Sequence, residues 1–153
     1  MSLTITGQED VFVLETPRGR AEVDLRRPGL AEIRYVGLAT GQFPRELQPR
    51  LDRWIAAGER VSLFIDAVDL RSYDTEFRSL WAAWMRANRA QIESVHILFK
   101  SKLVEMGIAI VNPFVGGFIV PWSDPAGFEA ALNKARDARP RASGRSPKPP
   151  TSG

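Results

Sequence analysis

The stretch RVSLFIDAV, ending at Val68, is apolar at almost every position. A strand with one face in water alternates apolar and polar residues; a strand without alternation needs cover on both faces. This run therefore asks for a sheet with helices packed against it, and the flanking sequence supplies both kinds of element. Upstream, DVFVLET and RAEVDLR are short β-like runs separated by PRG, which reads as a hairpin. LAEIRYVGL follows as a third strand, with Ala31, Ile33 and Tyr35 alternating. The period then changes. Leu47, Leu51, Trp54 and Ile55 fall at i, i+4, i+7 and i+8, one face of a helix that Gly58 should stop. Pro49 predicts that this helix either begins near it or kinks there.

Downstream of the apolar run the alternation of types continues. Phe77, Leu80, Trp81 and Trp84 form a helical stripe, and SVHILFK reads as a strand. KLVEMGIAIVN is apolar nearly all round, which predicts a buried helix. NPFVGGF reads as a loop carrying Phe114, and GGFIVPW as a last strand. Ser123 or Asp124 followed by Pro125 opens a final helix, with Phe128, Ala131, Leu132 and Ala135 inward. The order β-β-β-α-β-α-β-α-β-α predicts an α/β fold. Its mixed sheet has antiparallel N-terminal strands, including a hairpin over about residues 1–29, and then a βαβα parallel core with flanking helices joined by right-handed crossovers.

The chain's net charge of +3 is unevenly placed. Residues 134–153 hold six basic groups and one acid, and the rest holds 15 basic and 17 acidic groups. The terminal stretch KARDARPRASGRSPKPPTSG has almost no apolar residues and is expected to be disordered, so residues 1–133 are expected to form the domain. Such a tail supports weak contacts with anionic groups, without specific nucleic-acid recognition. The absence of cysteine excludes disulfides and thiolate metal sites and suits the cytoplasm. No stretch reaches the roughly 20 apolar residues of a membrane span.

Chemical motifs are scarce. The sequence has no G-x-G-x-x-G, P-loop, G-x-S-x-G or H-E-x-x-H pattern. Its single histidine, His96, falls inside a strand and reads as structural. No cofactor and no metal site is expected, and the chain is expected not to be an enzyme. Asp66, Asp69, Asp74 and Glu76 cluster around SYDTEF, where carboxylates could converge on magnesium. The competing reading gives Asp69 to a turn, and Asp74 and Glu76 to the positive end of the next helix. Trp81, Trp84, Met106 and Phe114 could line an apolar ligand or lipid pocket, while helical spacing also fits Trp81 and Trp84 to a core.

Residues from about 30 to 132 resemble the STAS superfamily, the fold of bacterial anti-sigma factor antagonists. They are most similar to its SpoIIAA-like, or STAS/SEC14-like, branch. The resemblance rests on LAEIRYVGLAT, VSLFIDAVDLRSYDTEFRSLWAAWMRAN, SVHILFKSKLVEMGIAIVN and DPAGFEAAL, in that order and spacing. In such antagonists a strand ends in Asp, and an Asp-Ser pair a few residues on begins the next helix. That Ser is phosphorylated by a kinase-like anti-sigma partner. Asp66 matches the strand-end Asp, and Asp74 and Thr75 fall on the pair, which makes Thr75 the candidate phosphoacceptor. Phe77 stands near the position where the antagonists carry a small residue. The resemblance implies a cytoplasmic regulatory module that binds another protein. Its contact surface would be Asp69, Tyr73, Asp74, Thr75 and Glu76. The alternative is a module binding a small apolar ligand or lipid.

Overall fold

Seven strands lie side by side in chain order, so each connection moves to the neighbouring strand. The computed structural model describes residues 2–141. Its elements are β1 (Thr4–Gly7), β2 (Val11–Thr16), β3 (Gly19–Arg27), β4 (Leu30–Ala39), α1 (Gln42–Ala56), β5 (Val61–Tyr73), α2 (Thr75–Ala87), a 3₁₀ turn (Arg89–Gln91), β6 (Ile92–Leu98), α3 (Lys102–Val115), β7 (Ile119–Trp122) and α4 (Pro125–Ala138). Strands β1 to β4 are antiparallel, and β4 to β7 are parallel. The mixed α/β architecture is the expected one, with one added strand. TITG of β1 is exposed throughout and holds a single large apolar residue, too weak a signal to read as a strand.

Three successive crossovers run in the same direction across the sheet. Right-handed crossovers put their helices on one face. The two hydrophobic clusters match that geometry. Leu63, Ile65 and Ala67 of β5 pack with Leu47 and Leu51 of α1, Trp81 and Trp84 of α2, and Val104 and Ile108 of α3. Phe64, between them in sequence, points to the other face and packs with Leu30, Leu98, and Phe128 and Leu132 of α4. The continuous apolar run is thus covered on both sides, as its composition requires.

Several boundaries differ from the sequence reading. Helix α1 begins at Gln42, seven residues before Pro49, because Phe43 and Pro44 already bury at its start. Pro49 lies inside it, and Gly58 takes φ +88 just beyond its end. Strand β5 does not end near Asp66. Its pairing with β6 stops there, at Asp66–Leu98, but its pairing with β4 continues to Tyr73 through two register shifts. Helix α3 is capped by Ser101, whose Oγ accepts from the Val104 N–H at 3.2 Å, and it runs through Asn112, Pro113 and Phe114 to Val115. NPF is therefore helical rather than loop. Asn112 fastens that end to β7, giving and taking one hydrogen bond with the Ile119 backbone at 3.2 and 2.9 Å.

The proposed domain limit at residue 133 falls inside α4. Arg136 holds Glu32 of β4 through two hydrogen bonds of 3.0 and 2.6 Å. Arg139, just past the helix, donates to the Pro28 carbonyl at 3.1 Å and to Glu93 at 2.9 Å. Basic composition alone looked like a tail, yet these guanidinium groups have acids waiting on the sheet. The expectation of disorder over 142–153 lies outside the described residues. We expect a chain ending after Arg141 to melt as the full chain does, whereas one ending after Ala135 loses both arginines and several degrees. Those charge-assisted bonds stabilise by about 1.5–3 kcal/mol each when buried and by less here, most of all at Glu93, which is 55% exposed against 18% for Glu32. Differential scanning fluorimetry of the two truncations checks this.

On the α4 face His96 lies flat on Phe64, with ring centres 4.2 Å apart. Its Nδ1 accepts a 3.0 Å hydrogen bond from the Trp122 indole N–H. The histidine is structural, and burial lowers its pKa from the usual 6.5. The unfolded chain therefore binds the proton first as pH falls. The contribution of neutral His96 to stability is fully present above pH 6.5 and is lost as pH drops through the lower folded-state value. Urea unfolding at pH 7 and pH 5 should show this loss, and His96→Gln should reduce the difference.

Candidate functional site

The carboxyl end of the β4–β5 ribbon places two helix starts next to each other. Asp74 follows β5 directly and takes extended backbone angles, and its Oδ1 accepts from the Phe77 N–H at 2.8 Å. Asp74 is therefore the N-cap of α2, and neither Ser72 nor Thr75 fills that role. Thr75 becomes the first helical residue. It is exposed, and its hydroxyl makes no hydrogen bond among the described residues. Cap and free hydroxyl thus coexist in adjacent residues. Glu76 pairs with Arg45 of α1 and bridges the two helix starts. Tyr73 leans the other way, toward α3. Its hydroxyl donates to the Leu103 carbonyl at 3.4 Å and lies where a side chain at position 107 would stand, so Gly107 permits the contact.

The acidic cluster does not converge. Asp66 accepts from the Val68 N–H on its own strand at 3.1 Å. Asp69 is not in a turn but within β5, and it pairs with Arg34 at 2.5 Å. Arg34 lies between Ile33 and Tyr35, which bury on the α1–α3 side, so Asp69 and Arg34 occupy the opposite face of the sheet. Asp69 therefore does not join Tyr73, Asp74, Thr75 and Glu76 in one surface. Among the described residues, no three His, Asp or Glu side chains are grouped to hold a metal ion.

The four aromatic and apolar pocket candidates also separate. A wholly apolar cavity of about 90 Å³ lies between α2, α3 and the sheet, walled by Tyr35, Ile65, Leu70, Phe77, Trp81 and Ile108. Only Trp81 of the four lines it. Trp84 is a packing residue, edge-on to Trp81 at 5.8 Å, and its indole N–H donates to Asp52 of α1 at 2.8 Å. Met106 and Phe114 face solvent, 61% and 49% exposed. A void of this size is well below the roughly 300 Å³ of a small-molecule site.

Those two residues belong instead to a feature that the sequence reading missed. Helix α3 is not buried. Leu103, Met106, Ile110 and Phe114 are all exposed, at i, i+3, i+7 and i+11 along one side. A second stripe, Val104, Ile108 and Val115, is buried against the sheet. A helix that is apolar all round can hold two stripes with different destinations, and the spacing of the outer one was legible. Beside it, Ala82 and Ala83 of α2 face Ile110, Val111 and Phe114 across an open groove of about 320 Å³. Arg78 stands at that groove, and the Arg86 guanidinium lies over the Phe114 ring at 4.6 Å.

No protein-family model matches this chain, and no curated protein does. Among solved structures, an uncharacterised DUF3478-family protein with a SpoIIAA-like fold from Shewanella loihica PV-4 is similar to it. The likeness has a TM-score of 0.53 and 16% identity, over 86% of this chain and 92% of that one. The chain has a SpoIIAA-like fold, as its sequence led us to expect. No helix among the described residues is long and apolar enough to cross a membrane.

Proposed function

We propose that a chain with this SpoIIAA-like fold acts as a non-enzymatic protein-interaction module. Its contact face joins the start of α2 to the outer side of α3, and Thr75 regulates that contact. The observation that carries the reading is the exposed Leu103–Met106–Ile110–Phe114 stripe. Contiguous apolar surface of this kind on a soluble domain marks an interaction site. Tyr73 ties the stripe to the Thr75 end of α2 through its bond to Leu103.

Thr75 suits a regulatory phosphate delivered by a kinase-like partner. Its hydroxyl is free and exposed, and the positive end of α2 favours the roughly −1.5 to −2 charges that a phosphate brings. Arg78, three residues on, adds a cation on the neighbouring turn, while Asp74 and Glu76 oppose the charge. Folding should then change little and partner contact much. The test compares Thr75→Ala, Thr75→Glu and Asp74→Ala. Asp74→Ala loses the cap and should cost about 0.5–2 kcal/mol, whereas both Thr75 variants should melt near the parent. The proteins captured from native lysate should differ between Thr75→Ala and Thr75→Glu. Identical captures, with no phosphate at Thr75 by mass spectrometry, would end the regulatory reading.

A further inference from the structure

We infer that the α2–α3 groove receives an amphipathic helix whose apolar stripe is flanked by acidic residues, an identification of the partner that rests on the interaction reading above. Ile110 and Phe114 form one wall of the groove, and Ala82 and Ala83, with only a methyl group each, leave room opposite. A helix laid along such a groove presents a ridge of apolar side chains at i, i+3, i+4 and i+7. A flat lipid surface would cover the outer stripe and leave the space between the helices unfilled.

Charge then selects among helices. Arg78 and Arg86 border the groove on the α2 side, and neither forms an ion pair among the described residues. The nearby acids are already engaged, Asp74 with the Phe77 N–H at 2.8 Å, Glu76 with Arg45 and Glu105 with Lys102 at 3.3 Å. The groove therefore offers unneutralised cations and no free carboxylate, which fits acidic flanks and rejects basic ones. A second copy docking through this same groove would bring the same two guanidinium groups and no lining acid to meet them. The chain's own terminal segment, residues 142–153, carries Arg145 and Lys148, no acid and no large apolar residue, so it matches neither half of the requirement.

The experiment uses the full chain and two synthetic peptides of about 18 residues, both with leucine at i, i+3, i+4 and i+7. One carries glutamate at the flanking positions and the other lysine. Fluorescence anisotropy should show the glutamate peptide binding at least about tenfold tighter, with the gap narrowing in high salt. The double variant Arg78→Glu/Arg86→Glu should reverse the preference. Ile110→Asp should weaken both peptides, and Met106→Asp, at the most exposed position of the stripe, repeats the test if Ile110→Asp alters the melting curve. Equal binding of the two peptides, or an unreversed preference in the double variant, overturns the inference. So does a concentration-dependent dimer abolished by Ile110→Asp, or binding to phosphatidylserine vesicles with neither peptide bound. If only the charge preference fails while Ile110→Asp still strips partners from a lysate capture, the interaction reading survives. If Ile110→Asp leaves that capture unchanged, both readings fall.

Discussion

Replacing Trp81 with alanine should cost about 3–5 kcal/mol of folding stability, the usual price of emptying a large core site. Trp81 is only 5% exposed, and its indole meets Trp84 edge-on. Its N–H donates to the Tyr35 hydroxyl at 3.1 Å. Tyr35 is wholly buried, and burial drives its ionisation far above the usual range, so the phenol stays neutral and needs a partner. Alanine removes that partner and joins the vacated space to the neighbouring cavity of about 90 Å³. The surrounding side chains already fail to fill that cavity, so collapse should recover little. Trp81→Phe keeps most of the ring volume and loses the hydrogen bond, and it should cost about 1–2 kcal/mol. Urea unfolding at constant m-value measures both. A near-neutral Trp81→Ala would mean that the indole walls a real ligand site, and it would revive the apolar-ligand alternative.

Helical spacing fitted Trp81 to a core as well as to a pocket, because a buried helical stripe repeats with the helix. The sequence misled where a residue's surroundings depended on distant chain. β5 appeared to stop near Asp66 because that residue matches the strand-end Asp of the resemblance and the apolar run gives out soon after, at Val68. The strand continues because one neighbour, β4, is enough to pair it, and Arg34 of β4 answers Asp69. The domain appeared to end at residue 133 because the composition turns basic there, yet α4 runs on to Ala138 and Glu32 lies opposite Arg136. α3 appeared buried because every side carries apolar residues, and nothing local says which side the sheet will cover. At the start of α2 the local chemistry was enough. Asp74 caps, Thr75 is left free, and Glu76 sits in the first turn, since an N-terminal cap is decided within four residues.

Phe64→Ala should also cost about 3–5 kcal/mol, and it tests the side of the sheet that the interaction face does not use. Phe64 is the buried apolar residue of β5 that points away from the larger cluster, toward α4. It meets Phe128 edge-on at 5.7 Å and His96 face-on at 4.2 Å, and it is 3% exposed. Removing it should loosen α4, whose buried residues, Phe128 and Leu132, both belong to Phe64's cluster. It should also admit water to His96. Since burial is what lowers the His96 pKa, hydration should return it toward its usual value. The variant should therefore be less stable at pH 7 and should lose less further stability between pH 7 and pH 5 than the parent. Unfolding curves at both pH values separate these effects. A large loss at pH 7 with undiminished acid sensitivity would mean that Phe64 packs α4 but does not shield the imidazole. That result would leave Trp122, stacked on the other side of His96 at 6.2 Å, as the group that keeps it dry.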